Sequence, residues 1–364
     1  MLPAGLRYVP ILRARRAEGR ALQALPRQAR SGLCPLLVIP GAAEDRRTKE
    51  PRKTVDEHLR GLVASIAACW TDSAFLDMPA LEHERTAAGA HPLQCLVGEL
   101  VEAGVKPIPA TSPNRSAGYN VAVAALHHRY GMGICLRLAQ DEWPSNDGGE
   151  SVTDLLTTLG ISRADVDLVL DLGTRAGDRA ASVAVAFGAE LSDLPSARSW
   201  RSITVAGTSF PSSLADLPVN LTCVERTEWI SYLEVAAELR GLPLAFGDYA
   251  IANPEADARP WHGRYQSAFL RYTTGSQWVI GRSAAFYSAP DRQGVGAESM
   301  REVADLLHSS AYFAGPWHCP ADAWIAAVAD GDDKGGTPEI WRSHGTVHHL
   351  ATVGEQLNDR FPRL

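Results

Sequence analysis

A short apolar run followed by a longer stretch of helical periodicity recurs about eight times along this chain. The first instance is Tyr8-Val9-Pro10-Ile11-Leu12 and the segment Arg13 to Leu25. The remaining strand candidates are Pro35–Pro40, Ala74–Met78, Lys106–Ala110, Gly133–Leu138, Asp167–Leu172, Ser202–Ala206 and Leu244–Tyr249. Near-continuous apolar character suits parallel strands buried on both faces. Between the strands, Val55, Leu59, Leu62, Val63 and Ile66 trace one helix face, and Leu93, Leu96, Val97, Leu100 and Val101 another. Gly104, Gly131, Gly160, Gly188 and Gly241 stand where such helices should stop. A strand-to-strand spacing of roughly 25 to 45 residues matches one βα unit with variable loops, and eight units favour a closed (β/α)8 TIM-type barrel over an open sheet.

After the eighth strand the pattern changes. Phe269–Thr274 and Gln277–Arg282, joined by Gly275-Ser276, read as a hairpin, with helices expected over Ala297–Leu307, Ala321–Val328 and near His348–Leu357. The expected organisation is a barrel over 1–255 and a C-terminal β-hairpin and helical extension over 256–364, packed on the barrel rather than independent.

Composition limits the partners. A net charge of −7 argues against nucleic acid, despite the arginines of the first helix and the charged loop 41–54. No run approaches the ~20 apolar residues of a membrane span, and Arg7 and Arg13 interrupt the only early apolar stretch, so a cytoplasmic protein is expected. Six scattered cysteines without a CxxC pair read as reduced thiols.

In such barrels, functional side chains come from the C-terminal ends of the strands and the following loops. That rule selects Arg13 with Glu18, Asp77, Arg137, Asp171, and Asp248 with Tyr249, with Arg226 and Glu228 just after the seventh strand. An ionised group within a run such as Leu168-Val169-Leu170-Asp171 is costly unless paired or solvated. Converging carboxylates and guanidiniums perturb one another, as acid/base sites require, and an ion-pair network closing the barrel top fits the same residues.

Other chemistries find weaker support. Strands four and seven end without carboxylates, which disfavours the commonest barrel glycosidase arrangement. The segment from Gly207 to Ser213 has hydroxyls but a single glycine, a weak phosphate cradle. His344 and His348 stand four apart with no HExxH signature, and with the adjacent His349 they are read as packing or capping residues, so no metal is expected. No GxSxG elbow is present. The C-terminal tryptophans, Trp261-His262 and Trp278 among them, suit core packing or stacking on a ligand.

The opening YVPILRARRAEGRALQAL and the segments VERTEW, FGDYAIANPE, RYTTGSQWVIGR and WRSHGTVHHLATVGEQL together resemble the phage and bacterial beta protein family over nearly the whole chain. The first helix departs from it, with Arg16-Ala17 replacing the more usual polar-glycine pair. The resemblance implies a (β/α) barrel and, by association with bacterial defence genes, a role in phage–host conflict. It carries no activity and leaves the cofactor unknown. It adds Arg271 and Tyr272 to the residues near the mouth, as a lid or wall.

Two functions are therefore expected in competition. In the first, a defence-associated barrel binds a polar, anionic small molecule or nucleotide and hydrolyses it. Arg226, Arg271, Arg13, Arg137, Tyr249, Tyr272, Glu18 and Asp77 would hold the ligand, and Asp248, Asp171 and Glu228 would supply a base or position water. In the second, the barrel is a non-catalytic sensor that binds a phage or host protein through an apolar patch.

Overall fold

The computed structural model describes residues 5–45, 47–194, 196–239, 241–242, 244–256, 265–284, 286–287 and 295–360. Eight parallel strands close a (β/α)8 TIM-type barrel: β1 (Tyr8–Arg13), β2 (Leu36–Val38), β3 (Ser73–Asp77), β4 (Lys106–Thr111), β5 (Ile134–Ala139), β6 (Val166–Asp171), β7 (Ser202–Gly207) and β9 (Leu244–Asp248). Each corresponds to one of the eight apolar runs. The helices α1 (Arg16–Ala24), α2 (Val55–Cys69), α3 (Pro92–Glu102), α4 (Ala117–Tyr130), α5 (Glu150–Leu159), α6 (Ala180–Asp193) and α7 (Thr227–Glu238) alternate with them.

Local chemistry sets the helix ends. Thr54 caps α2 by accepting from the Glu57 amide while the Glu57 carboxylate reaches back to the Thr54 amide. Gly131 and Gly160 close α4 and α5 at φ 62° and 66°, where a side chain would be strained. Gly188, expected as a stop, instead lies inside α6.

Strand parity divides the side chains into two cores. Val9, Ile11, Cys34, Leu36, Phe75, Ile108, Ala110, Cys135, Val169 and Ala206 fill the barrel, so its interior is packed rather than open. Tyr8, Leu12, Leu168, Leu170 and Phe246 face outward onto the helices. At the lower end, buried Asp167 accepts from Arg201 and from the Ser202 hydroxyl.

The extension is larger than a hairpin. Strand β8 (Asn220–Glu225), inserted between β7 and α7, pairs antiparallel with β12 (Gln277–Arg282), and β12 pairs in turn with β11 (Phe269–Thr273). The expected boundary at 255 therefore leaves one strand of this sheet on the barrel side of the sequence. Two-residue strands β10 (Tyr265–Gln266) and β13 (Phe286–Tyr287) form a second small sheet. Helices α8 (Val295–His308), α9 (Pro320–Asp330) and α10 (Pro338–Arg360) complete the extension. Its own core includes Leu270, Tyr272, Val279, Met300, Val303, Leu307, Ile325 and Trp341. The last helix starts ten residues before His348, and Gly345 lies buried within it. Trp261 and His262 lie outside the described residues. No helix among the described residues is long and apolar enough to cross a membrane.

Candidate ligand site at the barrel mouth

Side chains with the parity of the barrel interior emerge at its C-terminal end, and there Asp77, Arg137, Asp171 and Tyr249 meet. Arg137 donates from Nε (2.9 Å) and Nη2 (2.7 Å) to Asp171 Oδ2, and from Nη1 to Asp77 Oδ2 at 2.7 Å. The Tyr249 hydroxyl accepts from Arg137 Nη2 at 2.9 Å and donates to Asp171 Oδ2 at 2.6 Å. Burial, reinforced by the negative charge of Asp171, pushes the Tyr249 phenol far above its usual range, so it remains a donor. Arg115, which strand-end reasoning overlooked, sits in the loop after β4 and joins the other face of the cluster. It donates to Asp77 Oδ1 at 2.8 Å and lies 3.3 Å from Glu82 Oε2. These charges are not sealed: the Arg137 side chain keeps 19% of its surface exposed.

Two cavities meet at Arg137, Tyr249 and Pro254, and their charges differ in sign. A cleft of about 840 Å³ is lined by the carboxylates Asp77, Asp141, Glu142, Asp171 and Glu255 against the guanidiniums Arg115, Arg137 and Arg175. The charged loop after β5 supplies Asp141 and Glu142. On the other side lies a narrow slot of about 180 Å³, where Arg13, Arg137, Arg271 and Arg342 face a single carboxylate, Glu18. The slot continues past Arg13, Glu18 and Arg342 into an outer cleft of about 740 Å³ lined also by Arg15, Arg16 and Arg20.

Arg137 is balanced from behind by Asp77 and Asp171, so the charge the slot concentrates is that of Arg271 and Arg342 beside Glu18. Burial, then the nearby Arg342 charge, lowers Arg271 to about 10, with Glu18 opposing. Burial and Arg15 lower Arg13 in the same sense. Arg271 Nε and Glu18 Oε2 are buried without a hydrogen-bond partner among the described residues. Arg342, from α10, was not singled out in the sequence, because no strand-end rule reaches a helix of the extension.

Four expected site residues lie elsewhere. Asp248 has the outward parity of Phe246 and is wholly buried in the seam between barrel and extension. It accepts from the Tyr8 hydroxyl (2.8 Å), the Ala250 amide (2.9 Å) and His349 Nε2 (2.7 Å). Burial alone would raise its carboxyl; the imidazole and these donors, with Arg226, outweigh that and hold it low. His349 is completed by Thr273, whose hydroxyl lies 2.8 Å from Nδ1. Glu228 takes the Ser209 amide at 3.0 Å and the Ser209 hydroxyl. Arg226, 0% exposed, sits between the rings of Trp229 and Trp278, each 5.3 Å away, and donates to Thr274 O and Gln356 Oε1 at 3.1 Å. Tyr272 lies deeper in the extension, donating to Asp322 Oδ1 at 2.7 Å. Of the hairpin pair, only Arg271 borders the slot.

The fold and this mouth define a (β/α)8 barrel with a polar, charge-divided opening. The family model for Beta protein matches residues 8–355, and the chain belongs to that family. No curated protein matches it. Among solved structures, it is similar to the catalytic module of a family 98 glycoside hydrolase from Streptococcus pneumoniae TIGR4 in its native form. That match has 12% identity and a TM-score of 0.40, and covers 67% of this chain. The match spans 46% of that module, less than half of its length.

Proposed function

We propose that the protein binds a polar small molecule bearing an anionic group, such as a nucleotide, at the C-terminal mouth of the barrel. The observation that carries this reading is the slot lined by Arg13, Arg137, Arg271 and Arg342 with Glu18 as its one lining carboxylate, Arg137 being held from behind by Asp77 and Asp171. Guanidinium forks suit phosphate or carboxylate, and an anion there would meet Arg271, whose Nε is buried without a hydrogen-bond partner among the described residues. The adjoining acidic cleft suits the rest of such a ligand, because its exposed carboxylates Asp141 and Glu255 accept from hydroxyl or amino groups. Asp171 is the expected catalytic carboxylate that lines this cleft, so hydrolysis of the bound molecule would draw on it to orient water. Asp248 and Glu228, in this reading, fasten the seam. The phage–host setting implied by the family belongs to the same proposal.

The test is a thermal-shift and calorimetric screen of inorganic phosphate, nucleoside phosphates and sugar phosphates. At least one should bind with an affinity that falls as salt rises, and Arg271→Ala should weaken it. A screen with no binder, or binding indifferent to Arg271, would sink the idea.

A second reading, docking of a protein, is favoured by Trp317, 95% exposed, with Tyr312 at 40% on the same connection between α8 and α9. Trp317→Ser should abolish capture of such a partner, and an unchanged capture would remove this reading.

A further inference from the structure

The start of α9 and the middle of α10 bring together His318, Asp322 and His348, whose donor atoms all lie within 4.8 Å of one another. Asp322 and His348 are buried, and His318 is half-buried. The hydrogen bonding of His348 is the informative feature. Its Nε2 faces the Thr273 carbonyl oxygen at 2.8 Å; a carbonyl only accepts, so Nε2 carries the hydrogen. In the neutral ring Nδ1 is then a lone pair, and it points at Asp322 Oδ2 from 2.9 Å. Two acceptors at that distance need a positive charge, supplied by a proton or by a metal ion. An imidazole anchored through its far N–H to a backbone carbonyl is the usual posture of a metal-bound histidine.

The surroundings fit the second choice. Asp322 Oδ1 is oriented by the Tyr272 hydroxyl at 2.7 Å, and the Tyr272 ring stacks on His348 with centroids 3.7 Å apart. The Cys319 thiol donates to Asp322 Oδ2 at 2.9 Å and helps to fix that oxygen. On the outer side, Glu355, its side chain 61% exposed, places Oε2 3.4 Å from His318 Nδ1. Donors around a tetrahedral zinc ion stand roughly 3.3 Å apart, so Nδ1 and Oδ2 need to separate by a few tenths of an ångström. The separations of up to 4.8 Å close as His318, whose Nε2 now lies 3.0 Å from the Thr352 hydroxyl, turns inward.

We propose that His318, Asp322 and His348 bind one divalent ion of the zinc class, departing from the packing role read for His348 in the sequence. Two imidazoles and a carboxylate select such an ion over calcium or magnesium, which favour oxygen-only shells. The ion would tie α9 to α10 and, through Thr273 and Tyr272, to β11. It would act on the extension, apart from the mouth.

The full chain, stripped with a chelator and dialysed against zinc, should retain one equivalent by elemental analysis and melt at a higher temperature than the stripped form. His318→Ala, at the half-exposed edge, should lose both the ion and the shift, whereas exposed His83→Ala should keep both. Far-UV circular dichroism confirms that each variant is folded. Folded wild-type protein that retains no stoichiometric zinc overturns the proposal and leaves an imidazolium–carboxylate pair. Undiminished retention by folded His318→Ala overturns it equally.

Discussion

His349 reaches from the middle of α10 to place Nε2 2.7 Å from Asp248 Oδ2, at the end of the last barrel strand. Both side chains are wholly buried, and the contact joins the C-terminal helix to the closing strand of the barrel. Its neighbour His348 faces the other way, into the extension, with Asp322 as partner. Adjacent helical residues cannot share a face, and here the two rings divide the work of gripping Thr273, one at its carbonyl and one at its hydroxyl.

Removing this imidazole should be costly. His349→Ala leaves one Asp248 oxygen buried without its donor, and truncating one partner of a buried pair costs about 3–5 kcal/mol. Urea unfolding of the variant should show a loss of that order. A loss below about 1 kcal/mol would mean that the pair behaves like a solvated one.

Glu228 makes stability depend on pH. Burial lifts its carboxyl from the usual 4.5 to about 7, although Arg226 and Ser209 pull the other way. Between those two values the native protein holds a proton that the unfolded chain has released. Stability should therefore fall as pH rises through that window, by on the order of 3 kcal/mol in all. Glu228→Gln cannot titrate, so its unfolding free energy should be flatter from pH 4.5 to 7. A variant that keeps the wild-type slope would assign the effect to another group.

Gly345 marks where α10 crosses the hairpin. A Cβ there would stand 2.9 Å from the Arg271 carbonyl oxygen and 3.0 Å from Ile251 Cδ1, so helix and strand must part to admit it. Gly345→Ala should lower stability by about 1–3 kcal/mol despite the better helix propensity of alanine. A gain in melting temperature would show that the contact is looser than these distances.

The barrel was legible because parallel strands buried on both faces leave a strong apolar signature, and all eight were read from it. β8 was not, because Asn220-Leu221-Thr222-Cys223-Val224-Glu225 alternates polar and apolar residues on an extension sheet that is only partly covered. At the mouth, strand-end position found Asp77, Arg137, Asp171 and Tyr249. It could not tell Tyr249 from Asp248, because one residue of parity sends a side chain inward or outward and the sequence alone gives no register. Arg115 and Arg342 were missed for a different reason: a loop after β4 and a helix over 200 residues away converge only in the folded chain.

The charge division of the mouth gives the last prediction. Arg342 lines both the narrow slot and the outer cleft, so reversing its charge should oppose an anion directly. A phosphorylated ligand supplied at about 100 times its dissociation constant stabilises the native state by about 2.7 kcal/mol. That stabilisation should be largely lost in Arg342→Glu and retained in Arg163→Glu, a substitution away from both cavities. An anion seated in the slot would meet several guanidiniums, so wild-type affinity should also fall steeply with added salt, and the dependence should be shallower in the variant. Arg342→Glu that binds as tightly as wild type, with an unchanged salt dependence, would move the anion site away from the slot.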